Sequence, residues 1–378
     1  MKSGPAWLVR LDAADNGGPT VAVKDAIDVA GTVTTVAARS REDSGVAKVD
    51  APCVAAIRRS GGRIVGKTNL SELCWFGDGI NEHTGTPVNP LDPSRIPGGS
   101  SSGSAVVVAL GEADVALGTD TGGSVRIPAA CCGIAGLKTT RGRVSLAGVF
   151  PLAPELDTVG PLARDVAGLV TAMRLLEPGF VPTMPPTRRP TVARLRVDVP
   201  VEEVVDAAVE RALAVTGWDV HDAYVGRWLD VVHASSSILD AGAAVAQGFL
   251  LDRPELLSHR ARRNIELCLE EKPDDVARAR QLMTGLEREL SAVLDAADVV
   301  VLPTIVQAPP RLERSDRSGL TTLTVPFNVL GWPAVSVPAY QPPGDGVIPP
   351  AVQLVGAPGS EEMLLGLAAQ LPSQHAAR

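Results

Sequence analysis

Apolar positions along the 378-residue chain fall into two rhythms. From about residue 18 to 175 they form short runs broken by Gly, Ser and Thr. TVAVKDAIDVAG predicts a strand and a turn, VDAPCVAAIRRSGG an amphipathic helix with a glycine stop, and RIVGKTN the strand that follows. SGSAVVVALGE predicts a short buried helix, and ADVALGTDTGG a strand running into a glycine-rich turn. Residues 176–200, rich in Pro and Arg, read as a surface connection with one short strand. From 201 to 297 the apolar period lengthens to that of a helix, as in VEEVVDAAVERALAV and DDVARARQLMTGLERELSAVLDAA. Short buried strands then return in DVVVLPT (298–304), AVSVPAY (334–340) and AVQLVG (351–356). Strands alternating with helices predict an α/β fold. The returning strands are expected to rejoin the first sheet. That makes 1–378 a single domain: a core at 18–175, a helical middle at 176–297, and C-terminal strands at 298–378.

Composition narrows the function classes. The net charge is -8, 3% of residues are aromatic, and no basic block occurs, which argues against nucleic-acid binding. The N-terminal residues lack an apolar signal core, and no apolar run is expected to approach the ~20 residues of a membrane span. The five cysteines have no metal-binding spacing and suit a reduced compartment. A cytoplasmic protein without metal or cofactor, bound neither to membrane nor to nucleic acid, is the expectation. Lysine is scarce: Lys2, Lys24, Lys48, Lys67, Lys138 and Lys272 stand against 29 arginines. A lysine in an apolar setting therefore needs a reason.

Two segments carry candidate chemistry, PGGSSSGSA at 97–105 and GTDTGGSVRIPA at 118–129. A flexible linker would not run straight into the apolar 105–110, and neither segment has the spacing of a phosphate-binding loop. Gly99-Ser100-Ser101-Ser102-Gly103 fits the nucleophile elbow G-x-S-x-G, but a proline-rich loop precedes it where a strand is required. The elbow's histidine could only be His221, His233, His259 or His375, none of them in a recognisable motif. In the second segment Thr121-Gly122-Gly123-Ser124 can present successive N–H groups beside a serine hydroxyl. That serine needs a base. Lys24, between apolar neighbours in VAVKDAI, is the candidate, because a buried lysine can lose its proton and arginine cannot.

These residues resemble the amidase signature family. The run from Pro97 to Ser145 resembles the signature itself, VAVKDAIDVAG its lysine segment, and GKTNLSELCWFGDGINEHTGTPVNP the segment between them. FNVLGWPAVSVPAY and AVQLVG are similar to its closing strands. The resemblance covers about 19–175 and 298–356. It implies a central mixed sheet covered by helices on both faces. It also implies Ser124 as nucleophile, Ser100, after a cis peptide bond, as the bridging serine, and Lys24 as base. The oxyanion donors would be the backbone of Thr121, Gly122, Gly123 and Ser124. Ser101 would support the network, Asp120 and Arg126 would pair to hold the nucleophile loop, and Cys74 and Trp75 would line the acyl pocket, core packing being an equally good account of Trp75. Cys131 and Cys132 would be packing thiols, and His83 has no chemistry. The short segment before Lys24 is similar to that of plant indole-3-acetamide hydrolases and their bacterial relatives.

The activity implied is hydrolysis of a small-molecule amide, a primary amide with an apolar or aromatic acyl group, to acid and ammonia through an acyl-enzyme. A homodimer is compatible with the resemblance. Two alternatives stay open: an amidotransferase component supplying ammonia to a partner, and a non-catalytic binding protein on the same fold.

Overall fold

Among the described residues, the short apolar runs of the two ends and the strands flanking the helical middle all enter one eleven-stranded sheet. The computed structural model describes residues 4–185, 189–314, 319–339 and 348–372. Tyr340 and His375 lie outside the described residues. The strands are β1 (Trp7–Arg10), β2 (Thr20–Lys24), β3 (Arg63–Thr68), β4 (Val115–Asp120), β5 (Ala135–Lys138), β6 (Thr158–Ala163), β7 (Thr191–Val197), β8 (Asp219–Val225), β9 (Val299–Pro303), β10 (Ala334–Pro338) and β11 (Ala351–Val355). Their order across the sheet is β1-β3-β2-β4-β6-β5-β10-β11-β9-β7-β8. β2 runs parallel to both β3 and β4, and β7 parallel to both β8 and β9. The pairings between these two parallel blocks are antiparallel, so the sheet is mixed.

Helices cover both faces. On one face α1 (Pro52–Arg59), α4 (Val166–Leu176), α5 (Glu203–Ala214) and α10 (Glu361–Ala368) bury Val21, Val23, Val115 and Leu117 of the central strands. On the other face α2 (Ser102–Ala109) and α3 (Arg126–Cys132) pack on Ala22, Ala116 and Leu162. Farther along that second face, α6 (Trp228–Gln247), α8 (Pro273–Ala296) and α9 (Val325–Leu330) cover Ala193, Leu195, Val300 and Leu302. Alternation along each strand sends its odd and even residues to opposite layers.

Within the middle, β8 is a strand in a stretch, 201–297, expected to be largely helical. DVHDAYV is largely exposed and lies at the edge of the sheet, so no buried apolar face marks it. The stretch Trp228–Asp252 is long and apolar enough to cross a membrane by length and composition. Asp230, His233 and Asp240 interrupt it, so no uninterrupted apolar run signals its length. Here Trp228, Val231, Ala234 and Ile238 are buried against the sheet and α8, so one face of the stretch packs into this fold while Leu229, Val245 and Phe249 are exposed.

Candidate active site

The parallel strands β2 and β4 lie side by side and end at the same edge of the sheet. Lys24 is the last residue of β2 and Asp120 the last of β4. α2 and α3 begin just beyond that edge, at Ser102 and Arg126. Strand ends and helix N-termini therefore converge on one point, a usual position for a site in an α/β sheet.

Lys24 is fully buried, and its ammonium donates to Ser100 Oγ at 2.7 Å and Thr119 Oγ1 at 2.7 Å. Burial lowers its pKa, and Cys74, Asp120 and Asp157 only partly oppose that. A neutral amine beside a serine hydroxyl is the form able to accept a proton. The peptide bond between Gly99 and Ser100 is cis. Ser100 is held by a loop, not by a strand; its carbonyl accepts from Ser71 N at 3.1 Å.

Ser124 sits in the turn between β4 and α3 and is 9% exposed. Its carbonyl accepts from Ser101 N at 3.2 Å, which ties the two serine loops together. Its hydroxyl makes no hydrogen bond among the described residues, so Lys24 and Ser100 are joined directly and Ser124 is not joined to them by a side-chain bond. Of the four expected oxyanion donors, one is otherwise engaged. Gly123 N donates to Asp120 Oδ1 at 2.8 Å, because the tight turn points that N–H back at the strand end. Gly123 itself has φ +131, and an added Cβ would lie 2.4 Å from Thr324 Oγ1. The Gly122 and Ser124 N–H groups find no acceptor among the described residues. Thr121 turns its hydroxyl to Asp157 Oδ1 at 2.5 Å.

Asp120 and Arg126 form a fully buried pair, with Arg126 Nη2 on Oδ1 at 2.9 Å and Nε on Oδ2 at 3.0 Å. Burial alone would raise the Asp120 pKa. The guanidinium more than offsets this, with help from Lys138 and Asn328, and holds the carboxyl well below the usual carboxylate range. Arg126 also donates to Thr324 O, Gln353 Oε1 and Asn328 Oδ1. The turn that carries Ser124 is thereby tied to α9 and β11.

Ser101 Oγ donates to Thr119 O at 3.3 Å, and a Cβ at Gly118 would come within 2.7 Å of that Oγ. The Cys74 thiol lies beside Lys24; burial raises its pKa, and Lys24 acts in the opposite direction. Trp75 is half-buried, and its Nε1 donates to Gln247 Oε1 at 2.9 Å. Cys131 and Cys132 are buried free thiols whose pKa values burial raises; His83 pairs with Glu42 away from these groups. Thr119, Asp157, Asn328 and Gln247 complete the surroundings, and sequence reading did not find them. Among the described residues no three His, Cys, Asp or Glu side chains are grouped to hold a metal ion.

The family model described as Amidase matches residues 17–365. The chain is 33% identical to 2-amino-5-chloromuconic acid deaminase of Comamonas testosteroni, over 95% of this chain and 82% of that protein. It is also 33% identical to the glutamyl-tRNA(Gln) amidotransferase A subunit of Symbiobacterium thermophilum, over 95% of this chain and 85% of that protein. A crystal structure of an amidase superposes with a TM-score of 0.83 at 31% identity, over 94% of this chain and 85% of that one.

Proposed function

From the premise that the chain belongs to the amidase family and is a hydrolase of C–N amide bonds, we propose that it cleaves a small primary amide with an apolar or aromatic acyl group. The products are the carboxylic acid and ammonia. The observation that carries the chemistry is the buried Lys24 amine 2.7 Å from Ser100 Oγ. Neutral Lys24 takes the Ser100 proton while Ser100 takes the Ser124 proton. Ser124 Oγ then attacks the amide carbonyl, and the carbonyl oxygen gains negative charge opposite the Gly122 and Ser124 N–H groups. The C–N bond breaks as the proton returns through Ser100 to the leaving nitrogen. Water, activated by the same relay, releases the acid from Ser124.

The apolar acyl preference is supported by the side chains around the nucleophile turn. A Cβ placed on Gly122 would meet Leu239 Cδ1 at 3.4 Å and Val325 Cγ2 at 3.6 Å. Trp75, which follows Cys74 in the chain, adds apolar surface to the cluster that contains Cys74. Ammonia release from a panel of aliphatic and aromatic primary amides tests the reading. Wild type should turn over aromatic members best, and Ser124→Ala should turn over none. Equal activity in the two proteins would remove Ser124 as nucleophile.

The similarity to an amidotransferase component favours one second reading, in which ammonia from glutamine passes to a partner. A glutaminase activity that appears only with a co-purifying chain would replace simple hydrolysis by that role.

A further inference from the structure

Gln247, the last residue of α6, is fully buried and uses its amide on three partners. Its Oε1 accepts from Trp75 Nε1 at 2.9 Å. Its Nε2 donates to Leu73 O at 3.2 Å and to Pro151 O at 2.9 Å. Both amide hydrogens are thus spent on carbonyls and the oxygen on an indole N–H. A flipped amide would face like groups on all three sides, so the orientation is fixed.

The partners of Gln247 belong to two different loops of the site. Leu73 and Cys74 are successive non-glycine residues with φ +55 and +69, a conformation that needs outside support. Leu73 N is held by Val36 O, Cys74 N by Ser71 O, and the Leu73 carbonyl by Gln247. Cys74 stands beside Lys24, and Trp75 follows it. Pro151 precedes Leu152 and Ala153, whose N–H groups are bound by Asp157, the acceptor of the Thr121 hydroxyl. Along α6, Leu239, Ala243 and Gln247 recur at four-residue spacing and share a face. Leu239 stands over Gly122, Ala243 is buried in one cluster with Leu73 and Cys74, and Gln247 closes the row.

We propose that Gln247 is a positioning residue that sets acyl-group selectivity by fixing the Trp75 indole and the Leu73–Cys74 bend as one wall of the acyl pocket. This rests on the reading of Cys74 and Trp75 as acyl-pocket residues. It assigns the choice of acyl group to α6, an element of the chain's helical middle, while the proton relay stays with the strand ends.

Gln247→Met keeps the volume and removes all three hydrogen bonds. Trp75→Phe keeps an aromatic ring, but removes the indole N–H together with part of the ring system. For wild type, both variants and the double variant, kcat/KM would be measured on the two amides that wild type discriminates best. Labelling of Ser124 by a methyl-sized fluorophosphonate, followed by intact mass, would be measured alongside. The selectivity ratio should fall ~10-fold in either single variant, within the range a reshaped apolar pocket gives. The double variant should fall by less than the product of the two single effects, because the Trp75–Gln247 bond is common to both. Labelling should fall less than the ratio. A ratio that is unchanged, or hydrolysis and labelling that fall in parallel, overturns the proposal. Should Gln247→Met not fold, Trp75→Phe with an unchanged ratio overturns it alone. Failure of the underlying hydrolase reading shows elsewhere, as Ser124→Ala retaining wild-type turnover.

Discussion

The Thr121 hydroxyl donates to Asp157 Oδ1 at 2.5 Å, and both residues are buried. The same carboxyl group binds Leu152 N and Ala153 N, so one side chain joins the turn after β4 to the 150–157 loop. Asp157→Asn keeps the size but turns an NH2 group on at least one of these donors. The kcat should fall by ~10–100-fold, somewhat less than loss of a direct oxyanion donor, with KM changed little. Steady-state kinetics beside thermal unfolding decides the role. A lower Tm with unchanged kcat would make Asp157 a purely structural anchor.

Activity should rise with pH in wild type. Burial lowers the Lys24 pKa, so the competent neutral form is lost as pH falls through that lowered value and is fully present above it. The kcat/KM profile should therefore climb to a plateau. Lys24→Arg keeps a cation, cannot deprotonate, and should lose ~10³-fold, within the span usual for a general base. An active Lys24→Arg enzyme, or a profile flat down to acid pH, would count against the base.

How much of this was readable in advance depended on distance along the chain. Lys24, Ser100 and Ser124, the proposed relay, stand in short contiguous segments, and the contact between Lys24 and Ser100 joins two of these segments. β2, α1, β3, α2 and β4 were readable for the same local reason. Asp157 lies 36 residues from Thr121, and Gln247 lies 172 residues from Trp75. Nothing in ELDTVG or in GAAVAQ distinguishes them before the chain folds. That the Gly123 N–H turns to Asp120 was not readable, because a run of glycines shows available N–H groups but not their directions. β8 was missed because an exposed edge strand has no apolar face to betray it.

Breaking the Asp120–Arg126 pair should be costly for the whole fold. Arg126→Met leaves a buried carboxylate without its counter-charge, and strands the side chains of Asn328 and Gln353. A loss of about 3–5 kcal/mol in urea unfolding is expected. Asp120→Asn combined with Arg126→Met should cost less than the two single losses added together, because the second change removes the orphaned charge. Strict additivity would mean that the pair is not coupled.

Lys138 gives a stability signal separate from catalysis. Its side chain is buried at the end of β5 and its ammonium donates to Thr139 O at 2.8 Å. Burial first, and then the Arg126 charge, lower its pKa to about 7, against the pull of Asp120 and Glu361. An unfolded lysine titrates near about 10.4. Between these two values the unfolded chain binds a proton that the folded chain does not, so stability must rise with pH, by up to about 1.4 kcal/mol per pH unit. Below about 7 both states are protonated and the residue adds no slope. Lys138→Met removes the titrating group. Urea unfolding of both proteins at matched pH cancels the other lysines. From about pH 7 to about pH 9 wild type should gain about 2 kcal/mol relative to the variant. Parallel stability curves would mean that Lys138 keeps its proton in the fold throughout, with Asp120 and Glu361 outweighing the burial.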